Sequence, residues 1–323
     1  MKIENDTWNF TRLFETRRDL KKVNHSGRII VSGMGGSGIS GAIASSLFDS
    51  PQQVTSIDPK NEEHPITAWK NYDLPNWANS KDCVICISYS GNTAETLSAA
   101  NQAIKLGCKL EVITTGGELE KLALQNNCPV TKIEAGHQPR AALPLLLVPL
   151  LYKLGISHLD EQIKIIRKLS VRKEKAREIA AQIKGNIPCI YANDIMEPVA
   201  YRWRCQIEEN AKQLAFHHEI PEMNHNEIVG WNNNPGKIMV ILVRDNKESN
   251  AIKKRFETTK KIAWESKGIK VVETYAEGEY PLVRMISMIL LGDIISIELA
   301  KLNNVDPTPV EIIENLKSEL GGM

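Results

Sequence analysis

The sequence lacks a net charge that could act over the whole molecule. Its 323 residues include 40 Lys and Arg against 39 Asp and Glu, which leaves a formal charge of +1 at pH 7. A chain without a dominant sign has no overall field to attract nucleic acid or an anionic membrane surface. We therefore expect neither partner, and any anionic ligand must be held by a local arrangement of donors.

The sequence also lacks the features of a membrane or secreted protein. Its most apolar stretch, residues 141–154, is too short to span a bilayer and contains Pro144 and Pro149. The first ten residues, MKIENDTWNF, have no apolar core of the kind found in signal peptides. These absences predict a cytoplasmic protein.

The six cysteines do not form a disulfide or metal framework in the sequence. They lie inside apolar runs or predicted helices, which is typical of a reducing compartment. Cys83 and Cys86 form a C-x-x-C, which suggests redox chemistry or half of a zinc site. No second C-x-x-C follows, and the run CVICIS has the character of a buried strand. We therefore interpret both residues as small buried hydrophobes.

Length and hydrophobic patterning predict two α/β domains, each with a mainly parallel sheet flanked by helices. The chain is longer than one hydrophobic core usually spans, and short β-branched runs alternate with helical patterns. We expect the domains at residues 1–155 and 156–323. The predicted strands are Arg28 to Ser32, Gln53 to Ile57, Cys83 to Ser88, Lys109 to Thr114, Val130 to Ile133, Pro188 to Ala192, Lys237 to Val243 and Lys270 to Thr274. The predicted helices include Gly38 to Phe48, Thr93 to Leu106, Glu118 to Gln125, Arg140 to Leu154, Pro198 to Leu214, Ser249 to Ser266 and Tyr280 to Lys301.

A basic run lies between the two halves, at residues 157–185. Its lysines and arginines allow a helix that binds nucleic acid or a membrane. Apolar residues recur on one face, however, and Glu174 and Glu178 interrupt the positive charge. We favour a solvated connecting helix.

A glycine-rich loop follows the first predicted strand and opens a helix. Gly33, Gly35 and Gly38 match G-x-G-x-x-G, and Asp58 lies 20 residues further on, as in dinucleotide-binding loops. Such loops bind phosphate because glycines let main-chain N–H groups approach an anion at a helix N-terminus. No lysine of the Walker type follows. Ser37 adds a side-chain donor, which favours a compact phosphate over a dinucleotide.

A second loop of this kind ends the strand Cys83 to Ser88. Its residues, SYSGNT, offer hydroxyl groups and a helix N-terminus to one tetrahedral anion. A simpler reading is that Ser90 or Thr93 caps the next helix. The presence of two such loops favours phosphate binding, for which the candidate residues are Gly35, Gly36, Ser37, Ser88, Ser90 and Thr93.

These motifs resemble those of sugar isomerase (SIS) domains, and the chain is similar to the bifunctional phosphoglucose/phosphomannose isomerases. The resemblance rests on GMGGSG, SYSGNTAET, EENAK at residues 208–212, PEMNHNE at residues 221–227 and VDPTP at residues 305–309. It covers nearly the whole chain. It implies two SIS-like three-layer α/β/α domains and interconversion of glucose 6-phosphate or mannose 6-phosphate with fructose 6-phosphate. It implies no metal or redox cofactor.

The resemblance also implies roles for single residues. Glu209, the glutamate before Asn-Ala-Lys, would be the base that moves a proton between C1 and C2 through a cis-enediolate. His225 would assist ring opening, entering the site from the neighbouring subunit of a homodimer. Arg140 would face the developing negative charge, and Lys301 would assist ring opening or contact the sugar oxygens. The site would then lie at the domain and subunit interface.

The sequence departs from the family at one place and leaves other functions open. Where relatives often carry a substrate-contacting threonine, this chain reads GDIIS, with Ser296 as a possible replacement. His217 and His218 are read as helix-end residues, although a zinc site with His225 and Glu219 or Glu222 is conceivable. The alternative functions are a non-catalytic sugar-phosphate-binding SIS regulator, a nicotinamide-dependent oxidoreductase and an amidotransferase partner domain.

Overall fold

A computed structural model describes most of the chain as two compact units. The described residues are 2–24, 26–49, 65–170, 172–233 and 236–320. The N-terminal unit comprises residues 9–168, and the C-terminal unit comprises residues 3–8 with the chain after Lys168. None of the helices in the described residues is long and apolar enough to cross a membrane.

The N-terminal unit alternates strands and helices. The chain begins with helix α1 (Lys2–Trp8), of which residues 3–8 belong to the C-terminal unit. The strands are β1 (Ile29–Ser32), β2 (Ile66–Trp69), β3 (Cys83–Ser88), β4 (Lys109–Thr114) and β5 (Val130–Lys132). The helices are α2 (Gly35–Asp49), α3 (Ala94–Leu106), α4 (Gly117–Gln125), α5 (Leu143–Leu154) and α6 (Leu159–Ile166).

The five strands form one parallel sheet in the order β2-β1-β3-β4-β5. Every residue of β1 and β3 is buried. Strands covered on both faces by helices must be apolar along most of their length, which explains the continuous apolar runs IIV and CVICI. The sheet therefore forms the centre of this unit.

The C-terminal unit repeats the pattern with four strands. These are β6 (Ile187–Asn193), β7 (Phe216–Ile220), β8 (Ile238–Asp245) and β9 (Val271–Ala276), paired in parallel in the order β7-β6-β8-β9. The helices of this unit after α1 are α7 (Lys173–Ile183), α8 (Glu197–Ala211), α9 (Asn250–Thr259), α10 (Pro281–Leu302) and α11 (Glu311–Glu319). After Thr259 the helical chain continues as a wider turn, Lys260–Trp264.

Helices α8 and α10 pack closely against each other. Helix α10 is buried along nearly its whole length. Gly292 makes the close approach possible, because a Cβ at that position would lie 2.2 Å from Nε1 of Trp203 on α8. The Trp203 indole is fully buried and donates a hydrogen bond to the carbonyl oxygen of Met288, at 2.8 Å.

The structure confirms the predicted α/β fold class and adds two strands. Strands β3 and β4 have the predicted bounds. Strands β2 and β7 were not predicted, and both lie at the edge of a sheet. Strand β2 has only four residues, ITAW, and β7 reads FHHEI, so neither shows the long apolar run of an interior strand. The strand predicted at Gln53 to Ile57, and Asp58, lie outside the described residues.

The single connecting helix predicted over residues 157–185 is wrong. Helix α6 ends at Ile166 and still belongs to the N-terminal unit, whereas α7 begins at Lys173 in the C-terminal unit. Helix α7 packs against α10. It buries one apolar stripe, formed by Ala176, Ile179, Ala180 and Ile183. The basic residues of α7 thus occupy the other face of an ordinary amphipathic helix.

The C-x-x-C cysteines lie in the middle of the first sheet. Cys83 and Cys86 are both fully buried on β3. Burial raises the pKa of Cys83 to about 12, and it also raises the pKa of Cys86. The thiolate is the form that reacts with oxidants and binds metals, so burial keeps both thiols inert.

We predict that Cys83 and Cys86 resist alkylation in the folded protein. Iodoacetamide at mildly alkaline pH should leave both unmodified while the half-buried Cys128 reacts, and all three should react after denaturation. Peptide mass mapping with site localisation measures this. If Cys83 and Cys86 are labelled as fast as Cys128, the strand is not buried in this way.

We predict that Gly292→Ala destabilises the C-terminal unit. The new methyl group would overlap the Trp203 ring, and such overpacking costs about 1–3 kcal/mol. The matched control is Gly230→Ala, where the added Cβ meets nothing within 4 Å. Thermal unfolding followed by circular dichroism should show a lower Tm for the first variant alone. Equal Tm values for the two variants would contradict the close packing.

Candidate functional site

The two candidate phosphate loops lie at the carboxyl-terminal ends of the central strands of the N-terminal sheet. Strands β1 and β3 are parallel neighbours, with Ser32 paired to Cys86, so the loops that follow them leave from the same edge. The strand order reverses between β1 and β3. After β1 the chain adds β2 on one side of it and then crosses over to add β3 and β4 on the other side. Ligands of open α/β sheets bind in the crevice at such a reversal.

Glycines bring the first loop close to its neighbours. A Cβ at Gly33 would lie 2.9 Å from the carbonyl oxygen of Ile87, so the loop contacts the end of β3. A Cβ at Gly36 would lie 3.0 Å from the Pro139 carbonyl oxygen and 3.5 Å from the Cα of Arg140. The first loop, the end of β3 and the turn that carries Arg140 therefore adjoin one another.

Arg140 is a buried cation beside this loop. It belongs to the short turn Pro139–Ala141, which precedes α5, and only 6% of its surface is exposed. The main chain at Arg140 lies next to Gly36, so the turn that carries this cation adjoins the first loop.

The second loop is held in shape by its own hydroxyl groups. Ser88 Oγ accepts a hydrogen bond from the Gly91 N–H at 3.0 Å and lies 2.9 Å from Thr93 Oγ1. Ser90 Oγ accepts from the Asn92 N–H at 3.2 Å. Gly91 has φ +72°, and a Cβ there would lie 1.7 Å from a carbonyl oxygen of the adjoining turn. Only glycine fits this position.

The capping alternative for this loop is tested by Thr93. It occupies the N-cap position of α3 with extended backbone, but among the described residues its hydroxyl makes no capping hydrogen bond and instead contacts Ser88. The first-turn N–H groups of α3 are therefore not satisfied by Thr93. Such groups, with the partial positive charge of a helix N-terminus, are suited to an anion.

Ser37 lies in the first turn of α2 and is buried, with 7% of its surface exposed. Its N–H already donates to the Met34 carbonyl oxygen at 3.0 Å. A ligand would therefore meet the Ser37 hydroxyl and the glycine N–H groups before it. Asp58, which the dinucleotide interpretation needs, lies outside the described residues.

Glu209 is placed in the last turn of α8 and is half-buried. Its neighbour Glu208 has a different environment, because Glu208 forms an ion pair of 3.7 Å with Arg204 on the same helix. Adjacent helical residues point about 100° apart, so the two carboxylates face different surroundings. The side chain of Glu208 is the natural comparison for that of Glu209.

A buried set of polar side chains fixes α8 against α10. Arg202 binds both carboxylate oxygens of Asp293, at 3.0 and 2.7 Å, and both side chains are almost fully buried. Asn210 donates to Gln206 at 3.2 Å and to Ser296 Oγ at 2.9 Å. Arg202, Gln206 and Asn210 share one face of α8 because they recur every four residues. We call these five residues the α8–α10 ladder.

Ser296 is a fully buried member of this ladder. Its hydroxyl donates to the Asp293 carbonyl oxygen at 2.6 Å and accepts from Asn210. Both hydrogen-bonding roles of the hydroxyl are thus used inside the C-terminal unit. This assigns the serine to helix packing and gives no support to the expectation that it replaces a substrate-contacting threonine.

Lys301 lies in the last turn of α10 and is paired with two carboxylates. Its ammonium is 2.6 Å from Glu4 on α1 and 3.0 Å from Glu298. Burial disfavours the charged ammonium, but the hydrogen bonds to these glutamates outweigh it and raise the pKa of Lys301. Lys301 is therefore a cation at neutral pH and could serve a ligand only as a hydrogen-bond donor and positive charge.

The histidines occupy two different places. His225 is exposed at the end of the short turn Glu222–His225. His217 and His218 lie on strand β7, so their interpretation as helix-end residues is wrong. His217 contacts Glu197 at 3.1 Å and His218 contacts Glu227 at 2.8 Å. The two adjacent histidines of β7 break the apolar alternation by which strands are recognised.

The described residues contain no group of three or more His, Cys, Asp and Glu side chains that could hold a metal ion. The structure thus gathers the loop residues and Arg140 at one edge of the N-terminal unit, and it places Glu209 and Lys301 on two packed helices of the C-terminal unit. Sequence reasoning missed the α8–α10 ladder. The four-residue spacing of Arg202, Gln206 and Asn210 was the available signal.

Comparisons with known proteins agree with this geometry. A family model described as the bacterial phospho-glucose isomerase C-terminal SIS domain matches residues 172–320. A solved structure of a putative phosphosugar isomerase from Clostridium difficile superposes with a TM-score of 0.67 at 16% identity, and the match covers 98% of each chain. This likeness shows the fold alone.

Two curated relatives bear on the family. A bifunctional phosphoglucose/phosphomannose isomerase from Aquifex aeolicus is 36% identical over 96% of both chains. A D-glucosamine-6-phosphate 4-epimerase from Sulfolobus acidocaldarius is 32% identical, over 70% of this chain and 71% of the relative. The first match extends over nearly the whole length of both proteins. The chain therefore belongs to the family of bifunctional phosphoglucose/phosphomannose isomerases.

Proposed function

We propose that this protein is an aldose–ketose isomerase that interconverts glucose 6-phosphate and mannose 6-phosphate with fructose 6-phosphate. Family membership supports the reaction class. The observation that carries the proposal is the pair of loops at the strand reversal, which bring hydroxyl groups and two helix N-termini to the same end of the sheet, with the turn of the buried Arg140 next to the first loop. A regulator that only binds sugar phosphates would need these loops but no base.

The N-terminal unit binds the 6-phosphate. Gly35, Gly36 and Ser37 offer donors from the first loop, and Ser88, Ser90 and Thr93 offer donors from the second. The phosphate does not react, so its binding energy is used to hold C1 and C2 of the sugar for the chemical step. The first-turn N–H groups of α3 complete the set of donors.

The C-terminal unit moves the proton. Once the ring is open, the Glu209 carboxylate takes the proton from C2 of the aldose, and the electron pair passes to the carbonyl oxygen at C1 to give a cis-enediolate. Return of the proton to C1, together with transfer of the hydroxyl proton from O2 to O1, gives the ketose, so one carboxylate performs both transfers at carbon without a change of oxidation state overall. Arg140 stabilises the negative charge of the enediolate.

Two further residues prepare the sugar. His225 moves a proton between the ring oxygen and the anomeric hydroxyl, a task suited to an imidazole near neutral pH. Its exposure on a surface turn suits delivery to a neighbouring molecule, and we propose a cytoplasmic homodimer in which the partner subunit receives it. Lys301, held as a cation by Glu4 and Glu298, donates to sugar oxygens.

We predict that Glu209→Gln abolishes turnover. Purified protein with fructose 6-phosphate and a metal chelator should form both glucose 6-phosphate and mannose 6-phosphate. Loss of the base should lower kcat by about 10²–10⁴-fold, because general base catalysis contributes that much. The matched control is Glu208→Gln, whose carboxylate pairs with Arg204 and which should keep native kcat.

The other outcomes would contradict this assignment. Equal losses of kcat in the two variants would show that Glu209 is not the base. Tight binding of fructose 6-phosphate without any product would indicate the regulator. Because one relative is named an epimerase of glucosamine 6-phosphate, the same assay should include that sugar, and turnover of it alone would move this chain to that reaction.

We predict that Ser88→Ala lowers kcat/KM for fructose 6-phosphate by about 10- to 100-fold, as expected for loss of hydrogen bonding to a charged group. The substitution also removes the acceptor of the Gly91 N–H. Ser98→Ala, on α3, is the control: its hydroxyl donates to Asp73 outside the loop, so this variant should retain native kinetics. Unphosphorylated fructose should be nearly inert with all three proteins. Native kinetics for Ser88→Ala would place the phosphate elsewhere.

A further inference from the structure

Helix α8 ends at a lysine in a conformation that usually requires glycine. Lys212 has φ 53° and ψ 38°, which is the left-handed region. A side chain there places its Cβ too close to the neighbouring carbonyl oxygen, and helices therefore commonly end with glycine at such a position. A strained lysine at the end of the helix that carries Glu209 suggests that its side chain has a task.

The Lys212 side chain joins two segments of the C-terminal unit. Its ammonium donates to the main-chain carbonyl oxygen of Glu209 at 2.5 Å and to that of Pro309 at 2.6 Å. Carbonyl groups in the last turn of a helix have no partner within the helix, and the negative end of the helix dipole favours a cation. Lys212 therefore caps the last turn of α8, which is the turn that carries Glu209.

The segment after α10 is tied to the same helix end by a second side chain. Asn303 donates to the Ala211 carbonyl oxygen at 3.1 Å and to the side chain of Gln213 at 3.0 Å. Residues 303–309 are thus bound to the end of α8 at both their first and last members. Lys301 lies only two residues before this segment.

These contacts hold Glu209 separately from the α8–α10 ladder. The ladder is buried and ends at Asn210, the residue after Glu209. Lys212 is exposed and holds the Glu209 main chain itself. We propose that Lys212 is a positioning residue that fixes the last turn of α8 and thereby the direction of the Glu209 carboxylate. This inference rests on the proposed function of Glu209 as the base.

Two substitutions separate positioning from stability. Lys212→Gly removes the side-chain contacts and relieves the left-handed strain, so the Tm should stay the same or rise. Lys212→Met removes the contacts but keeps the strain, so its Tm should fall. Both should lose kcat by about 10- to 100-fold, with KM within about twofold of native, because small misplacement of a catalytic group has that effect.

The matched control is Lys237→Gly. Lys237 is also an exposed lysine in the left-handed region, with φ 52°, and it carries no role in the proposed site. Its kcat should equal that of the native protein. Glu209→Gln is measured in parallel, so that the base and its positioning are judged separately.

Several results would overturn the inference. Native kcat in Lys212→Gly would show that the side-chain contacts do not matter for catalysis, even if Glu209→Gln is inactive. A kcat that follows the Tm across the two Lys212 variants would assign the lysine to stability alone. An active Glu209→Gln, or a native protein without isomerase activity, would defeat the proposed function, and the positioning role would fall with it.

Discussion

The ion pair between Arg202 and Asp293 is the constraint on which the C-terminal unit depends. Its two hydrogen bonds lie in the buried contact between α8 and α10. A buried pair of this kind adds little net stability compared with apolar side chains, but removal of one partner leaves an unpaired buried charge. Because the pair forms only where arginine faces aspartate, it favours one register of the two helices. The ends of those helices carry Glu209 and Lys301, so their positions follow from this contact.

The two units share a sheet topology, but different residues lie at the ends of the strands where the strand order reverses. In both sheets the strand order reverses after the first two strands in the chain. The N-terminal unit places glycines and hydroxyl groups there. The C-terminal unit places Asn193 and Asp245 at the ends of β6 and β8, and Asp245 is paired with the buried Arg284 at 2.7 Å. The proposed phosphate site and the proposed base thus lie in different units.

Much of the fold could be predicted because interior strands and loops carry local signals. The run CVICI before Ser88 is apolar, since β3 is covered on both faces, and the bounds of β3 agree with the prediction. Strand β7, FHHEI, has two histidines and was missed, because its place is set by pairing with β6 and not by its own pattern. The candidate residues could be named from motifs. The role of Ser296 could not, because its burial depends on a helix that lies far away in the sequence.

The end of α8 at Lys212, in the left-handed conformation, could not be predicted from the sequence either. Sequence patterning extended the helix to Leu214, because Lys, Gln and Leu are good helix formers. The helix ends earlier because Lys212 binds a carbonyl group in the segment before α11, which propensity does not include. Tertiary contacts therefore decide where the turn that carries Glu209 ends.

The central claim is that a carboxylate moves a proton between C2 and C1 through an enediolate. The most direct measurement is the fate of tritium at C2 of glucose 6-phosphate during conversion to fructose 6-phosphate by the native protein. A proton held by a carboxylate exchanges partly with solvent, so the account predicts that some tritium appears in water and the remainder at C1. Complete transfer of the label to C1, with none in water, would indicate a hydride shift and contradict the account.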